Sequence, residues 1–278
     1  MDVSIIIPAR NSADWLCALL MSIADARRGG HTVEIVVVDD ASTDGTVSAI
    51  RERFPEVRVL ETGQPSGPAL ARNIGARDAT GELLLFLDAD GEVDAGWLEA
   101  MAAAHDGRTI LLGNVVDYHV PRAQSVPRRA TFLGKSLHCR PERANTGPSC
   151  NLGVPRAVFE SLGGFDEELT YYFEDSDLCI RARRAGVPFR FVEGAVFRHH
   201  GTEKKSGDAI RLQERHSTYA MLKIYEDEWF QIAAFSVLNA GWMIARYAWW
   251  TLRGRREDAA RLARGWWEAT MNFLGPRI

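Results

Sequence analysis

The chain has 278 residues, of which 46% are hydrophobic and 25% charged, and its formal net charge is −4. This composition excludes a disordered polymer, and the length allows one large domain or two small ones. Because no strongly basic surface is implied, we do not expect nucleic acid as a partner. The charge is uneven: residues 229–278 hold seven arginines and three acids, which leaves a net charge of −8 on the first 228 residues.

The cysteines and the beginning of the chain indicate a reducing compartment. The four cysteines lack the spacing of a metal site, and we expect all four to be buried free thiols. They are Cys17, Cys139, Cys150 and Cys179. An apolar run follows Met1 and Asp2 directly, without a basic start or a cleavage site, so we expect no secretory signal and a cytoplasmic location.

Strands and helices are predicted to alternate in the first half of the chain. Val3–Pro8 is mostly β-branched, which is typical of a parallel strand buried on both faces. We then predict a helix capped by Ser12 and continuing to about Arg28, a strand at Val33–Val38, a helix from Asp44 to about Phe54, a strand at Val57–Leu60, a helix at Pro68–Ala79, a strand at Leu83–Leu87 and a helix at Ala95–His105. This order predicts an α/β fold with a mostly parallel sheet flanked by helices, and ligands at the carboxyl ends of its strands.

The middle of the chain is less regular. Tyr118–Gly147 holds six Arg or Lys residues without an apolar period, and we expect a mobile loop there. Beyond it we predict a strand at Ser149–Gly153, a helix from Pro155, a charged helix at Glu174–Ala185 and strands at Phe189–Val192 and Ala195–His199.

Paired acids follow two of the predicted strands. Asp88 and Asp90 stand two residues apart after one strand, and Asp39 and Asp40 end another. Two carboxylates on one side of an extended segment suit Mg²⁺ or Mn²⁺ bridging to a diphosphate. Alone, either pair is more typical of a turn with solvated acids.

Six sequence blocks in order resemble the family 2 inverting glycosyltransferases, which have the GT-A fold. The blocks are Ser4–Asn11, Val38–Thr46, Ala71–Gly75, Phe86–Asp90, Gly163–Glu167 and Glu174–Leu178 with Arg181. The resemblance runs from Val3 to about Gly201 and implies a catalytic domain over 1–201, with a nucleotide-sugar half at about 1–116 and an acceptor half at about 117–201. We expect residues 202–278 to form a C-terminal helical extension rich in Trp and Arg. The implied activity is metal-dependent transfer of one sugar, with inversion, from a nucleotide-diphosphate-sugar to a hydroxyl acceptor, either lipid-linked or a precursor of a cell-surface glycan.

The resemblance also implies a role for individual residues. The nucleoside pocket would be formed by Pro8, Ala9, Arg10, Asp39 and Asp40. Arg72 would reach the nucleotide phosphates, and Asp88 would contact the nucleotide-sugar. Mn²⁺ or Mg²⁺ would be bound by Asp88, Asp90 and His200. Asp175 would be the catalytic base, Glu174 would orient that base or bind acceptor, and Asn151 would line the acceptor cleft. UDP is the favoured nucleotide, with dTDP and GDP left open.

Ordinary structural roles remain open for several of these residues. Arg72 could be a surface helix arginine, and Asp175 an acid that favours the start of a helix. The pair His199-His200 could be solvated at a strand end. Asp177 is expected to cap its helix or to pair with Arg181 four residues on.

Three other kinds of protein are alternatives to this interpretation. A processive synthase would carry Q-x-x-R-W, which Gln213-Glu214-Arg215-His216 does not supply. A sugar nucleotidylyltransferase would place a Gly-rich loop after the first strand, where Arg10-Asn11-Ser12 stands. The alternative that remains is a catalytically silent relative that binds nucleotide-sugar or serves as a membrane-associated scaffold.

The C-terminal segment has its own composition. Trp229–Leu252 contains one charged residue, and six of the eight tryptophans lie from Trp229 onward, among arginines. This pattern favours a helix lying in an anionic headgroup layer, peripheral on the inner face of the cell membrane. Packing on the catalytic domain, a dimer face and a membrane span are the alternatives.

Overall fold

The computed structural model describes residues 1–26, 30–117, 127–201 and 208–274. The strands are β1 (Asp2–Ala9), β2 (Thr32–Asp39), β3 (Arg58–Glu61), β4 (Leu83–Leu87), β5 (Gly91–Val93), β6 (Ile110–Asp117), β7 (Arg128–Ala130), β8 (Ser136–His138), β9 (Asn151–Pro155) and β10 (Phe189–His199). The helices are α1 (Ala13–Asp25), α2 (Thr46–Arg53), α3 (Pro68–Asp78), α4 (Trp97–Ala104), α5 (Arg156–Ser161), α6 (Glu174–Arg184), α7 (Ala209–Ile224), α8 (Trp229–Leu252) and α9 (Arg256–Leu274), with a 3₁₀ turn at Pro141–Arg143.

Eight strands form one sheet, in the order β3-β2-β1-β4-β9-β6-β10-β5. The first four run parallel, as do β6 and β10. The expected sheet with flanking helices is confirmed, but β9 runs antiparallel to both of its neighbours and β5 antiparallel to β10. Because β1, β2 and β4 are parallel, their carboxyl ends meet at one edge of the sheet.

The core lies on both faces of this sheet. Along β1, Ile5 and Ile7 pack on one face together with Leu16 and Leu19 of α1. Ile6 points to the other face, where it meets Ala71 of α3. Alternate side chains of a strand point to opposite faces, so a continuous apolar run is what a strand covered on both sides requires.

Several predicted boundaries differ from the structure. Ser12 precedes α1, but its hydroxyl makes no capping hydrogen bond. The second helix begins at Thr46 rather than Asp44, because Asp44 Oδ1 accepts a hydrogen bond from Thr46 N at 3.0 Å and so precedes the helix. The predicted end of the first helix falls at residues 27–29, outside the described residues. The two late strands are one strand, β10, with a register irregularity between Val192 and Val196.

The prediction of a mobile loop over 118–147 is wrong for its second part, residues 127–147, which contains a β-hairpin. Strands β7 and β8 pair as a hairpin, with Arg128 opposite His138. Asn145 is bonded to this hairpin, since its Oδ1 accepts a hydrogen bond from Ala130 N at 2.9 Å. Residues 118–126 lie outside the described residues.

The C-terminal helices pack on the rest of the chain through a small third cluster of apolar side chains. Phe235 of α8 is 1% exposed and lies with Met221 and Tyr225, near the end of α7, and with Ile180 of α6. Within the described ranges, no helix combines the length and apolar character needed to cross a membrane, and this includes α8.

Candidate active site at the carboxyl edge of the sheet

The segments that follow β1 and β2 are bonded to each other. Asn11 donates its backbone N–H to Ser42 Oγ at 2.8 Å, and its Oδ1 accepts from Thr43 N at 2.8 Å. Both Asn11 and Ala41 have left-handed backbones, with φ of 49° and 59°, which non-glycine residues adopt rarely and mostly where the surroundings enforce it. The backbone N–H of Asp40 also bonds to Ala9 O at 2.7 Å. The ends of the two strands therefore form one rigid corner.

Asp39 and Asp40 are both buried in this corner but differ in their bonding. Asp40 accepts hydrogen bonds from Thr62 Oγ1, Ser66 N and Oγ, and Gly67 N, at 2.7–3.1 Å. Burial alone would raise the pKa of Asp40, but these hydrogen bonds outweigh it and lower the pKa. Asp39 Oδ2 accepts from Ser42 N at 3.0 Å, whereas among the described residues Asp39 Oδ1 finds no donor. Asp39 therefore keeps a free acceptor, and Asp40 anchors the segment 62–67.

The remaining residues of the predicted nucleoside pocket line the same corner. Pro8 and Ala9 end β1, and Arg10 is exposed just beyond it. The Arg10 guanidinium donates to Tyr171 Oη at 3.4 Å, so it reaches across to the segment that precedes α6. Sequence reasoning gave no role to Tyr171, because only the fold brings it to the end of β1.

Two acids and a histidine come together directly beyond β4. One ligand atom each of Asp88, Asp90 and His199 lies within 4.8 Å of the other two, and His199 Nε2 is 3.2 Å from Asp90 Oδ1. Burial alone would raise the pKa of Asp90, but the hydrogen bond and charge of His199 outweigh it and lower the pKa. Two carboxylates and one imidazole are a donor set that fits Mn²⁺, and less closely Mg²⁺, which prefers oxygen alone.

His199, and not His200 as the resemblance implies, lies with Asp88 and Asp90. His200 Nε2 lies 3.0 Å from Glu92 Oε1, and its ring stacks on Trp15 at 4.6 Å between centroids. In β10, His199 stands opposite Gly91 of β5, one residue from Asp90. The contact of His199 Nε2 with Asp90 Oδ1 is what brings this histidine to the acids, whereas His200 donates its backbone N–H to Asp90 O at 2.8 Å. Both contacts follow from the pairing of β5 with β10, which the sequence does not indicate.

Arg72 is buried rather than on the surface. Its side chain is 2% exposed and donates to Asp88 Oδ1 at 2.5 Å and to Glu174 Oε1 at 2.9 Å. Burial alone would lower the pKa of Arg72, but the two carboxylates outweigh it and raise the pKa. Arg72 thus joins the acid pair beyond β4 to the start of α6: the buried Arg72 and Glu174 and the partly exposed Asp88 form one network.

The start of α6 presents Glu174 and Asp175 from a strained turn. Tyr172 and Phe173 are both left-handed, with φ of 66° and 75°. Glu174 is buried against Arg72, while Asp175 is half-buried and accepts from Ser176 N at 2.5 Å. Burial, together with the negative charge of Glu174, raises the pKa of Asp175 to about 7. A carboxyl group with such a pKa is suited to exchange a proton near neutral pH.

Arg72 links the acid pair beyond β4 to the start of α6, where the candidate base lies. Its guanidinium contacts Asp88 Oδ1 at 2.5 Å and Oε1 of Glu174, the residue next to Asp175, at 2.9 Å. Burial, followed by the charges of Asp88 and Asp175, raises the pKa of the nearby Cys150 thiol well above its ordinary value. The acid pair and the candidate base therefore belong to one region of the molecule.

Asn151 does not line a cleft, and its predicted contact with acceptor is corrected. Its side chain is 1% exposed, accepts from Trp97 Nε1 at 2.8 Å and donates to the carbonyl oxygens of Asn114 and Ala195 at 3.0 and 2.8 Å. These three bonds tie α4, β6 and β10 together. The Asn151 side-chain amide therefore has a structural role.

Other residues of the matching blocks hold the scaffold. Asp177 pairs with Arg181 at 2.6 Å, which confirms the expected contact four residues on, and Arg181 also donates to Leu162 O and Gly164 O. Asn73 bonds both the N–H and the C=O of Phe165, at 2.9 and 2.8 Å. These contacts join the turn at 163–165 to α3 and α6.

Comparison with known proteins identifies the family of this chain. Residues 4–163 match the model of the family described as Glycosyl transferase family 2. The chain is 30% identical to the pre-mycofactocin glycosyltransferase of Mycobacterium tuberculosis over 238 residues, which cover 77% of this chain and 48% of the relative. It is also 30% identical to the N-acetylglucosaminyl-diphospho-decaprenol L-rhamnosyltransferase of the same organism, with 80% of each chain covered. The chain thus spans about half the length of the first relative.

Two solved structures share the fold. One is S. aureus TarS in complex with UDP-GlcNAc, with 22% identity, a TM-score of 0.65, and 99% of this chain and 81% of that chain covered. The other is the mannosyltransferase PcManGT from Pyrobaculum calidifontis in complex with GDP-Man and Mn²⁺, with 20% identity, a TM-score of 0.60, and 99% and 88% covered. The sheet is that of the GT-A glycosyltransferases, and the chain belongs to glycosyltransferase family 2.

Proposed function

We propose that this chain transfers a single sugar from a nucleoside-diphosphate sugar to a hydroxyl group of an acceptor, with inversion at the anomeric carbon. The observation that carries the proposal is the buried Arg72, which contacts Asp88 of the acid–histidine group at 2.5 Å and Glu174, the neighbour of Asp175, at 2.9 Å, at the edge of the sheet where α/β proteins bind ligands. The bound nucleotide sugars of the two solved structures support the donor class.

The corner formed by β1 and β2 is the proposed nucleoside site. The Oδ1 atom of Asp39, which lacks a donor among the described residues, is suited to accept a hydrogen bond from the ring N–H of a uracil, thymine or guanine base. Pro8, Ala9 and Arg10 would flank the base. UDP is the nucleotide that we favour, and the UDP-GlcNAc complex of TarS supports it.

Asp88, Asp90 and His199 would hold a divalent metal ion, for which Mn²⁺ is the better fit. When bound there, such an ion neutralises negative charge on the diphosphate that leaves. Arg72 holds Asp88 in place through its 2.5 Å contact, so its proposed role is to position the acid rather than to touch phosphate directly.

Asp175 is the proposed base. The acceptor oxygen would form a bond to the anomeric carbon on one face while the bond to the diphosphate oxygen breaks on the other, and the hydroxyl proton would pass to the Asp175 carboxylate. Glu174 would act through its buried bond to Arg72, which fixes the start of α6. The acceptor that we favour is lipid-linked, in keeping with the name of the decaprenol rhamnosyltransferase.

A nucleotide-release assay tests this function. The chain is incubated with Mn²⁺ and each of a panel of UDP-, dTDP- and GDP-sugars, beside Asp175→Asn and, as a matched control, the exposed Asp227→Asn. We expect slow release from one donor, lost in Asp175→Asn and kept in the control. Binding of a donor with equal, negligible release from all three proteins, even when decaprenyl-linked acceptors are supplied, would instead favour the catalytically silent relative.

A chelator tests the proposed metal site separately from the proposed role of Asp175 as the base. Excess EDTA should weaken binding of the favoured nucleotide, measured by calorimetry, and Mn²⁺ should restore it. The same titration on Asp90→Asn should show weak binding that Mn²⁺ no longer improves. Undiminished binding and release in excess chelator would remove the metal role from Asp88, Asp90 and His199.

A further inference from the structure

Helix α8 presents a row of apolar side chains to the outside. Its buried residues Phe235, Asn239 and Met243 follow one another at intervals of four, so they lie along one line of the helix. Phe230, Val237 and Ile244 follow at intervals of seven on the opposite line and are 69%, 73% and 65% exposed. We call this row, with Leu252 at its end, the outer face of α8.

The helix turns its one charged residue inward. Arg246 donates to Glu214 of α7 at 2.6 Å, and the Glu214 side chain is only 4% exposed. Because Arg246 is paired with Glu214 of α7, the outer face of α8 carries no charged side chain along a length of about 36 Å. A single exposed apolar residue is ordinary, but a continuous patch of this extent marks an interaction surface.

The flanks of the outer face and the end of the helix carry aromatic rings and arginines. Trp242 and Trp249 lie along one flank, and Trp229 and Tyr247 along the other; all four are exposed. The Arg253 guanidinium stacks over Trp249 at 4.3 Å from its ring centroid. At the C-terminal end of the helix, residues 253–264 contain five arginines and two acids, a net charge of +3, whereas the acids Glu226, Asp227 and Glu228 precede its start. The surface is thus apolar in the middle, amphipathic at the edges and positive at one end.

We propose that the outer face of α8 rests on an anionic lipid bilayer, with the helix lying parallel to the membrane surface. Phe230, Val237, Ile244 and Leu252 enter the acyl boundary, the tryptophans lie at the level of the headgroups, and the arginines meet lipid phosphates. The exposed tryptophans on the flanks and the net positive charge of residues 253–264 favour this occupant, and a dimer formed through the same face is the alternative. This inference does not depend on the proposed sugar transfer.

Vesicle flotation with the full chain tests the proposal. We expect the protein to float with vesicles of phosphatidylcholine and phosphatidylglycerol, and less with phosphatidylcholine alone or at high salt. Val237→Glu with Ile244→Glu should lower the bound-to-free ratio by about tenfold or more, because both charges would enter the acyl boundary. Met21→Glu with Leu137→Glu is the matched control, since both residues are apolar, about half exposed, and outside α8.

A second variant tests the positive end of the helix. Arg253→Gln, Arg255→Gln and Arg256→Gln together should remove the preference for phosphatidylglycerol and leave the melting temperature nearly unchanged. Nucleotide binding, measured on every variant, reports on the catalytic part separately. The proposal is overturned if the wild type does not float, if the double glutamate variant floats equally well, or if that variant converts a dimer to a monomer and neither form binds vesicles.

Discussion

Asp39 and Asp40 are adjacent in the chain, yet the structure gives them different contacts and therefore different expected effects on mutation. Asp39→Asn should weaken nucleotide binding by about tenfold, the equivalent of one hydrogen bond to a charged acceptor, and change the melting temperature little. Asp40→Asn should lower the free energy of unfolding by about 1–3 kcal/mol, because the four hydrogen bonds that hold residues 62–67 are disturbed. Calorimetric titration with nucleotide and thermal unfolding of both variants would measure the two effects. A lower free energy of unfolding in Asp39→Asn, together with unchanged stability and weaker nucleotide binding in Asp40→Asn, would contradict this account.

The raised pKa of Asp175 predicts how the rate depends on pH. A base must be deprotonated to accept the hydroxyl proton, so release of nucleotide should level off above pH 7 and fall by about tenfold per pH unit well below it. The measurement is the release rate at saturating donor between pH 5 and 9, with nucleotide binding followed in parallel. A rate that is flat across pH 7 while binding stays constant would argue against Asp175 as the base.

The same pKa predicts that Asp175 costs stability. The folded protein holds this proton up to about pH 7, whereas the unfolded chain releases it near the ordinary value of 3.8. Between these limits the folded state binds more protons, so the free energy of unfolding falls as pH rises. Asp175→Asn should therefore raise stability by at least about 1 kcal/mol above pH 7, and the gain should vanish below pH 4. Chemical denaturation at pH 8 and pH 4 measures both values, and an equal gain at both would exclude a charge effect.

At the scale of elements, the pairing of β5 with β10 places His199 at the acids and requires a glycine. A Cβ atom on Gly91 would lie 2.2 Å from the Phe197 ring and 2.7 Å from Arg198 O. Gly91→Ala should therefore push the two strands apart, lower the free energy of unfolding by about 1–3 kcal/mol and weaken metal-dependent nucleotide binding.

Gly194→Ala is the matched control for that variant. Gly194 lies within the same strand β10, but its added Cβ would meet only Ala100 Cβ, at an ordinary distance of 3.5 Å. Thermal unfolding and Mn²⁺-dependent nucleotide binding of the two variants should differ clearly. Equal effects on both measurements would mean that the close approach at Gly91 has no special part in placing His199.

The elements also show which features of the site could be predicted from sequence. The acids Asp88 and Asp90 were predictable because a buried strand ends directly before them, and local apolar patterns predict strands well. His199 was not, because its position depends on an antiparallel pairing between segments about a hundred residues apart. Asn151 was misassigned for the same reason: its three bonds run to α4, β6 and β10, and nothing near it in sequence indicates them.

At the scale of the whole molecule, the C-terminal helices are joined to the candidate active site through the third apolar cluster. Phe235 of α8 packs with Met221 and Tyr225, near the end of α7, and with Ile180, which lies in the same helix as Asp175. His216 of α7 adds a polar link to the strained turn before α6, since its Nδ1 contacts Tyr171 O. A boundary near residue 201, as the sequence suggests, therefore separates regions that we expect to unfold together.

Phe235→Ala tests this coupling. The change should lower the free energy of unfolding by about 3–5 kcal/mol, as for other buried phenylalanines, because α6 and the end of α7 lose a shared partner. We expect a single calorimetric transition at a lower temperature, with bound nucleotide raising the melting temperature of variant and wild type alike. Phe230→Ala is the control, since Phe230 lies on the exposed side of the same helix and should leave the transition nearly unchanged. Two separate transitions in the variant, of which only one responds to nucleotide, would show that the helices fold independently of the site.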